Sequence, residues 1–204
     1  MEPLISGDFS ASDDPLALFQ AWFAEAKLSE PNDPDAMALS SVDAAGLPNS
    51  RMVLCRSVDA RGFAFFTNFE SAKGGELIAH PQAAGLFHWK SLRRQVRLRG
   101  AVAPVGEAET LAYFAARARA SRIGAWASRQ SRPLASRAAL EAEVAELTRK
   151  FGDGDIPLPP YWRGFRIAPT EMEFWRDGRH RLHDRMRFAR SGPEAAWCGE
   201  RLYP

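Results

Sequence analysis

The chain has 204 residues, of which 46% are hydrophobic, so it can bury a sizeable core, and one domain over residues 1–204 is the expected organisation. Its 27 basic residues are nearly balanced by 25 acidic ones, and the net charge of +2 argues against a polycation that binds nucleic acid. No apolar run approaches the roughly 20 residues that span a bilayer, and Cys55 and Cys198 lack metal-type spacing. We therefore expect a cytoplasmic protein with free thiols, no metal site, no membrane partner and no nucleic-acid partner.

The first predicted element is an amphipathic helix that follows a flexible N-terminal arm, residues 1–12. Asp13 or Asp14 can cap this helix, with Pro15 in its first turn. Apolar residues then recur at helical spacing, at Leu16, Phe19, Trp22, Phe23 and Ala26. We expect this apolar face to pack against the rest of the protein.

From Ala36 onward the apolar period becomes that of strands. AMALSSVD, SRMVLCRSVD and GFAFFTN are predicted as three strands of a meander, with turns at AAGLPN and ARG. SAKGGELIAH predicts a short helix that stops at Pro81, and AAGLFHWKSL and RQVRLRGAVAPV follow as two more strands. Because no crossover helices separate these five strands, an antiparallel barrel or sandwich is favoured over a parallel α/β sheet.

Two helices and three closing strands complete the prediction. One helix is expected from Glu107 to about Ser128 and another from Leu134 to Phe151. DIPLPPYW is a proline-rich connector, after which GFRIAPTEMEFW, HRLHDRMRFAR and AAWCGERLY are predicted strands. The fold class is therefore mainly β with flanking helices (α+β).

A first candidate anion site lies where SAKGG begins a helix after a strand. Ser71 and Lys73 fall where free backbone amides and the positive end of the helix favour an anion. Arg51 and Thr67, on neighbouring predicted strands, could supply the rest of a phosphate cradle. The alternative is an ordinary surface lysine on a flexible turn.

A second candidate anion site lies in the helix after Glu107. Tyr113, Arg117 and Ser121 are spaced by four residues, which puts a phenol, a guanidinium and a hydroxyl along one stripe of a helix. Such donors suit a phosphate monoester, whose oxygens accept several charge-assisted hydrogen bonds. The alternative is a polar stripe that faces solvent.

A third cluster lies in EFWRDGRHRLHDR, residues 173–185. If its second half is extended, Arg181, His183 and Arg185 share one face of a strand, which predicts an anionic or electron-rich ligand. The alternative is a strand with ordinary surface arginines. No acid or nucleophile is evidently paired with His183, so a hydrogen-bonding role is favoured over general-base catalysis.

Isolated polar and aromatic residues add weaker candidates, each with an ordinary alternative. Gln95 alternates with Val96 and Leu98 and could bind the edge of a polar heterocycle, or could simply be an exposed strand residue. Gln130 and Ser131 offer an amide and a hydroxyl in a predicted loop, or a helix cap. The remaining candidates are Trp175, which could flank a flat ring or be a core residue, and Arg51 and Arg56, which face opposite sides of a regular strand and could serve two ligands.

Taken together, several segments resemble the pyridoxine (pyridoxamine) 5′-phosphate oxidase family: RMVLCR, GFAFFTNFESAKG, FHWKSLRRQVRLRG, YFAARARASRIGAWASRQS, EFWRDGRHRLHDR and the terminal ERLYP. They occur in the family's order from about Asn32 to the C-terminus. The resemblance implies an antiparallel split β-barrel of the FMN-binding type, assembled as a homodimer with one FMN in each of two clefts between the subunits.

The resemblance also implies roles for individual residues. It places FMN against Arg51, Met52, Val53, Leu54, Phe66, Thr67, Ser71, Lys73, Gln95, Gln130, Ser131, Trp175 and Arg185. It places the substrate phosphate against Arg56, Tyr113, Arg117 and Ser121. Arg181 and His183 are then the expected catalytic pair, which holds the pyridine ring of the substrate over the flavin.

The implied reaction is the FMN-dependent oxidation of pyridoxamine and pyridoxine 5′-phosphates to pyridoxal 5′-phosphate, with hydride transfer from C4′ to flavin N5 and reduction of O2 to hydrogen peroxide. The chain departs from the family's pattern at Arg56, where lysine is usual, at Phe66, where tyrosine is common, and at Ala72, where a residue that contacts the flavin phosphate is frequent. Two alternatives remain open: a related split-barrel flavoenzyme that acts on another ring, as in phenazine biosynthesis, and a non-catalytic protein that binds flavin or pyridoxal phosphate.

Overall fold

The computed structural model of the chain describes residues 14–204, so the predicted arm and Asp13 lie outside the described residues. Its helices are α1 (Pro15–Ser29), α2 (Ala72–Ala79), α3 (Glu107–Ala116), α4 (Arg119–Ala127) and α5 (Arg137–Phe151), with a 3₁₀ turn at Arg179–Arg181. Its strands are β1 (Ala36–Val42), β2 (Pro48–Leu54), β3 (Ser57–Asp59), β4 (Gly62–Asn68), β5 (Gln82–Trp89), β6 (Arg94–Pro104), β7 (Trp162–Arg176), β8 (Asp184–Ala189) and β9 (Cys198–Leu202).

The strands form one nine-stranded sheet in which every pairing is antiparallel. Its order is β2-β1-β5-β6-β7-β4-β3, and β8 and β9 continue from β7. The predicted alternation of β6 is confirmed, since Val96 and Leu98 are buried while Arg97 and Arg99 are exposed. The prediction of a mainly β, antiparallel fold with flanking helices is therefore confirmed.

Helix α1 closes one side of the main core. The Asp14 side chain accepts a hydrogen bond from the Leu16 amide at 2.9 Å, which confirms the predicted cap. Phe19 is fully buried and meets the rings of Phe63 and Phe87 edge-on, with ring centroids 4.8 and 4.9 Å away. The apolar face of α1 thus packs onto β4 and β5, as its periodicity predicts.

A second, smaller core forms between helices α3, α4 and α5 and the start of β7. Its buried members are Phe114, Ile123, Ala127, Leu147, Ile156 and Trp162. Phe66 of β4 and Tyr113 of α3 pack against it. The two cores therefore meet at β4, and the cavity described below lies beside this junction.

The second predicted strand, SRMVLCRSVD, is two strands, and the predicted three-stranded meander is wrong. The Cys55 amide donates to the Asp35 carbonyl at 2.9 Å, just before β1. The next amide, that of Arg56, donates to the Ala64 carbonyl of β4 at 2.8 Å. Because the chain changes partners here, β2 pairs with β1 and β3 pairs with β4.

The prediction of free thiols is confirmed for both cysteines. Cys198 is exposed, whereas Cys55 is buried at the point where β2 ends. Burial is the main reason that the pKa of the Cys55 thiol is raised to about 12, with the charge of Asp35 adding to the effect. Cys55 therefore serves as a small apolar core residue and not as a nucleophile.

The single helix predicted from Glu107 to about Ser128 is also wrong, because it is interrupted between α3 and α4. Arg117 and Ala118 are extended, with ψ of 147° and 141°. The Arg117 amide reaches only the Phe114 carbonyl, at 3.2 Å. Arg117 consequently lies at a corner between two short helices.

No helix in the described part of the chain is both long enough and apolar enough to cross a membrane.

We expect Phe19→Ala to lower the free energy of unfolding by about 3–5 kcal/mol, because it empties a fully buried ring site that no neighbour can fill without moving. Leu28→Ala on the same helix is the matched control, since Leu28 is 90% exposed and its loss should change stability by less than about 0.5 kcal/mol. Urea unfolding of both variants provides the measurement. Equal losses would mean that α1 does not close the core.

Candidate functional site

A cavity of about 500 Å³ opens between strands β2 and β4 and helices α2, α3 and α4. This volume is in the range of small-molecule sites. Eleven of its lining residues carry an expected role: Met52, Val53, Leu54, Arg56, Phe66, Thr67, Lys73, Tyr113, Arg117, Ser121 and Gln130. The others are Asn68, Gly124, Ala125, Ser128 and Trp162, which the sequence analysis did not single out.

Lys73 is a buried ammonium at one side of this cavity, and it is surrounded by neutral oxygens. Its Nζ donates to Gln130 Oε1 at 2.7 Å, to Thr67 Oγ1 at 3.0 Å and to Ser71 Oγ at 3.4 Å. Burial lowers the pKa of Lys73, and the positive charge of Arg51 lowers it further, against a smaller opposing effect of Glu76. A buried cation with neutral partners is suited to an anionic ligand.

The start of α2 holds Lys73 in place. Ser71 caps the helix, because its Oγ accepts from the Gly74 amide at 3.3 Å and donates to the Asn68 carbonyl at 2.6 Å. Gly74 leaves no room for a side chain, since a Cβ would lie 2.2 Å from the Phe69 carbonyl oxygen. The turn is therefore tight, and it fixes the lysine at the positive end of the helix.

Arg51 lies beside this cradle but not in the lining of the cavity. Its Nη2 forms an ion pair with Glu76 at 2.8 Å, and its Nη1 donates to Ser41 Oγ. Glu76 also binds Ser41 and Asn49, and these hydrogen bonds and the charge of Arg51 lower the pKa of Glu76 against the effect of burial. The contact of Arg51 with a ligand stays a prediction.

The residues of the second predicted anion site line the cavity together, although they do not lie on one continuous helix. Tyr113 lies in α3, Arg117 at the corner and Ser121 in α4, and all three line the cavity together with Arg56. The break between the helices, and not a four-residue helical repeat, brings Arg117 and Ser121 to the same space as Tyr113. The predicted helical stripe is wrong, although the three side chains do share one cavity, and their binding of a phosphate stays a prediction.

Arg117 is the most unusual charge in the cavity. Its Nη1 is buried and has no hydrogen-bond partner within residues 14–204. Burial lowers its pKa, as does the positive charge of Arg56, while Tyr113 opposes the shift. Arg56, in contrast, has a carboxylate partner, Asp35, at 2.7 Å. Arg117 thus brings to the cavity a positive charge that no carboxylate among residues 14–204 neutralises, which suits an anion.

Three aromatic rings lie nearly parallel beside Arg117. The Phe66 and Tyr113 ring centroids are 4.1 Å apart with an interplanar angle of 16°. Trp162 lies 5.5 Å from Phe66 and 6.0 Å from Tyr113, with angles of 10° and 6°. Sequence reasoning missed Trp162, because a tryptophan between a proline-rich connector and a strand has no pattern that separates it from a core residue.

The remaining predicted residues form a second cluster on the β6-β7-β8 part of the sheet. Gln95, Trp175 and Arg185 are paired in register across the three strands. Arg185 is held by Glu173, with its Nε and Nη2 donating at 2.9 and 2.8 Å, and its Nη1 donates to the Tyr203 carbonyl at 2.9 Å. This cluster is not part of the cavity lining.

The strand predicted through Arg181 and His183 is wrong, because β8 begins only at Asp184. His180 and Arg181 have φ of 56° and 64° in a 3₁₀ turn, so Arg181, His183 and Arg185 do not share the face of one strand. The turn still brings His183 to Trp175, with ring centroids 4.6 Å apart. Arg181 is exposed.

His183 has an acidic neighbour that the sequence analysis did not find. Its Nδ1 lies 3.1 Å from Asp177 Oδ1 and 3.2 Å from the Gly178 amide nitrogen. Gly178 is required in this turn, since a Cβ there would lie 1.9 Å from the Leu182 carbonyl oxygen. The expectation that no acid is paired with His183 is therefore wrong.

Ser131 lies apart from Gln130, its neighbour in sequence. Gln130 lines the cavity, whereas Ser131, with φ of 72°, lines an adjacent surface recess together with Ser71 and Arg132. The change of direction at the positive φ separates the two side chains. The structure thus joins Gln130, but not Ser131, to the lysine cradle.

The two groups of residues lie at opposite ends of β7. Phe66 pairs with Gly164 near its start, and Gln95 pairs with Trp175 near its end. The eleven residue steps from Gly164 to Trp175, at roughly 3.3 Å each, correspond to about 36 Å along the contour of the strand. Within one chain, most of the length of β7 therefore separates the two groups.

Two family models together match most of the chain. Residues 23–151 match the family model described as pyridoxamine 5′-phosphate oxidase. Residues 162–204 match the model described as the pyridoxine 5′-phosphate oxidase C-terminal dimerisation region. The second match contains Trp162, Trp175, His183 and Arg185.

Similar proteins cover nearly the whole chain. A pyridoxine/pyridoxamine 5′-phosphate oxidase from Azorhizobium caulinodans is 60% identical over 99% of this chain and 95% of its own length. Another such oxidase, from Rhizobium etli, is 60% identical over 98% of this chain and 98% of its own length. Among solved structures, PhzG from Burkholderia lata 383 in complex with tetrahydrophenazine-1-carboxylic acid is 34% identical with a TM-score of 0.89, covering 98% of this chain and 99% of that one.

A pyridoxamine 5′-phosphate oxidase-related, FMN-binding protein from Nostoc punctiforme has the same fold at 17% identity, with a TM-score of 0.74 over 96% of this chain and all of its own. These likenesses confirm the split-barrel prediction. From the two family matches and the full-length relatives, the chain belongs to the pyridoxamine 5′-phosphate oxidase family.

Proposed function

We propose that the protein is an FMN-dependent oxidase that converts pyridoxamine 5′-phosphate and pyridoxine 5′-phosphate to pyridoxal 5′-phosphate. The observation that carries this function is the presence, in one cavity, of two cations, the buried Lys73 and the half-buried Arg117, that have no acidic hydrogen-bond partner among residues 14–204. Two such cations suit two ligands that each bear a phosphate. Family membership supplies the identity of the ligands.

FMN fits the residues around Lys73. The ammonium lies at the capped start of α2, and neutral groups of Thr67, Ser71 and Gln130 surround it with further donors and acceptors. We assign the flavin phosphate to this corner and the flavin ring to the adjoining strand residues Met52, Val53, Leu54 and Phe66. When bound, FMN supplies the hydride acceptor of the reaction and passes the electrons to dioxygen, which yields hydrogen peroxide.

The substrate phosphate fits the other side of the cavity. Arg117 and Arg56 provide charge there, and the hydroxyls of Tyr113 and Ser121 provide hydrogen bonds. These residues hold the phosphate of the substrate and not its pyridine ring, so the ring is left to be oriented by other groups. These residues therefore position the substrate and take no part in proton or hydride transfer.

We further propose that the site is completed by a second copy of the chain, with FMN at the subunit interface. The Gln95, Trp175 and Arg185 cluster then completes the flavin site, and Arg181 and His183 hold the pyridine ring of the substrate. The position of this cluster at the far end of β7 supports the proposal, as does the match to a C-terminal dimerisation region. Ser131 and Arg51 are assigned to FMN on the family pattern.

The related phenazine-type activity is the second candidate, because PhzG is similar over nearly the whole chain. Arg117 argues against it, since a half-buried guanidinium with no carboxylate partner among residues 14–204 is suited to a phosphorylated substrate. A non-catalytic flavin or pyridoxal phosphate carrier is the third. A turnover assay with pyridoxamine 5′-phosphate distinguishes these three candidate functions.

We expect the purified protein to be yellow and dimeric and to release one hydrogen peroxide for each pyridoxal 5′-phosphate when it is given pyridoxamine 5′-phosphate and oxygen. Absorbance of the bound flavin, light scattering, a peroxide assay and aldehyde absorbance provide the measurements. Unphosphorylated pyridoxamine is the matched control and should react poorly. A flavin-loaded dimer that produces no aldehyde would favour the second or third candidate.

We expect Arg117→Ala to raise KM for pyridoxamine 5′-phosphate by roughly 10–100-fold, since hydrogen bonds to charged groups contribute about 1.5–3 kcal/mol and 1.4 kcal/mol is tenfold. Flavin occupancy should stay near one per chain, because Arg117 is assigned to the substrate side. Steady-state kinetics and the flavin-to-protein absorbance ratio measure the two effects. Loss of FMN from this variant would contradict the division of the two phosphates.

We expect Lys73→Met to weaken the binding of FMN, whereas Arg117→Ala should weaken the binding of substrate. FMN affinity should fall by about tenfold or more, because a charge-assisted contact to the phosphate is lost. The FMN-free protein should become more stable than the wild type, because burial of an unpaired ammonium is costly. Fluorescence titration with FMN and urea unfolding of the FMN-free proteins provide the measurements.

The pH dependence of the Lys73→Met effect has a defined sign. Because the pKa of Lys73 is lowered in the folded protein, the unfolded chain binds the proton more tightly. The gain in free energy of unfolding from Lys73→Met is therefore complete at pH values below the pKa of Lys73 in the folded protein. It shrinks as the pH rises towards 10.5, the ordinary pKa of a lysine. Lys90→Met, at an exposed loop position, is the control and should show neither effect. A less stable, FMN-binding Lys73→Met protein would contradict the assignment.

A further inference from the structure

Trp162, the first residue of β7, has a position fixed by the fold. It is 6% exposed, it pairs with Asn68 of β4 in the sheet register, and its amide donates to the Pro159 carbonyl at 3.0 Å. Its indole lines the cavity. An aromatic face held in this way can orient other side chains.

Two residues assigned to the substrate phosphate lie on this indole. The Arg117 guanidinium carbon is 4.8 Å from the Trp162 ring centroid, closer than its 5.9 Å to Phe114. The Tyr113 ring is parallel to the indole within 6°, at 6.0 Å. Trp162 therefore contacts both a cation and a hydroxyl-bearing ring of the proposed phosphate site.

Little else restrains the Arg117 side chain. Within residues 14–204 it forms no ion pair with a carboxylate, and its Nη1 is buried without a hydrogen-bond partner. Its backbone lies between α3 and α4, outside the regular hydrogen bonding of either helix. The ring faces are consequently the contacts that hold the guanidinium.

An aromatic face is well suited to this task. The N–H groups of a guanidinium point outwards in its plane, so a ring beneath that plane attracts the charge without using those donors. A carboxylate partner, such as Asp35 for Arg56, occupies some of the donors and offsets part of the charge that would otherwise attract a phosphate. The cation is thus oriented while its hydrogen bonds stay available for the ligand.

We propose that Trp162 is a positioning residue for substrate binding, which holds Arg117 in the arrangement that receives the phosphate of the substrate. This inference rests on the proposed function only in taking that phosphate as the ligand of Arg117. Trp162 acts through Arg117, so its contribution should disappear when Arg117 is absent. A general structural role would not depend on Arg117.

A double-mutant cycle on the FMN-loaded enzyme tests this coupling. Trp162→Leu should raise KM for pyridoxamine 5′-phosphate by about tenfold, with kcat and FMN affinity changed by less than about threefold, because one cation–π contact is lost. In the Arg117→Ala background the same change should alter KM by less than about twofold. Trp162→Phe, which keeps an aromatic face, should recover most of the loss.

Binding of pyridoxal 5′-phosphate to the same four proteins, measured by calorimetry, provides a readout that does not depend on turnover. The dissociation constants should follow the KM values. Effects that multiply in the double variant would overturn the proposal, as would equal losses for Trp162→Phe and Trp162→Leu.

A substitution that preserves the packing distinguishes the loss of the cation–π contact from a folding defect of the Trp162→Leu variant. Site-specific incorporation of tryptophans with increasing ring fluorination at position 162 weakens the attraction of the indole face for a cation while nearly preserving its shape. KM and the dissociation constant should rise with each added fluorine, and values that stay constant across the series would overturn the proposal. If the wild type does not oxidise pyridoxamine 5′-phosphate, the proposed function fails; if it does and the cycle is additive, only the role of Trp162 fails.

Discussion

The pairing of β7 with both β6 and β4 is the constraint on which the rest of the structure depends. β7 is a 15-residue strand whose middle lies in the main core, and it carries Trp162 at one end and Trp175 at the other. A register shift between Arg99 and Gly100 lets the chain pass Pro169, which has no amide proton to donate. Gly100 is needed there, since a Cβ would lie 2.0 Å from the Ala168 carbonyl oxygen. Both parts of the proposed site thus depend on one bent strand.

The structural cations and the proposed ligand-binding cations differ in whether a carboxylate pairs with them. Arg166 is as buried as any cation of the protein, but it is matched by Asp59 at 2.9 Å and by Glu109 at 2.5 Å. Within the part of the chain that the structure describes, Lys73 and Arg117 have no such carboxylate partner, and burial lowers their pKa values. Unmatched buried charge lowers stability, so its presence in a cavity is the expected sign of a site built for an anion.

Much of the fold could be predicted because local patterns and core packing agree. The cap at Asp14, the alternation of β6 and the helix that starts after Ser71 all follow from short-range chemistry. The predictions failed where the chain changes partner or direction without losing its periodicity. The break at Cys55, the corner at Arg117 and the turn at His180 are set by contacts with distant residues or by positive φ, and neither leaves a pattern in the sequence.

The sequence by itself determined the fold class, the family resemblance and the types of residue available for two anion sites, because these depend on composition, periodicity and motifs. Only the tertiary structure decided which of those residues meet. It joined Arg56, Lys73, Arg117 and Gln130 in one cavity and put Trp175 and His183 at the other end of β7. The reason is that side-chain proximity across a sheet is fixed by strand pairing and helix breaks, which are long-range properties of the folded chain.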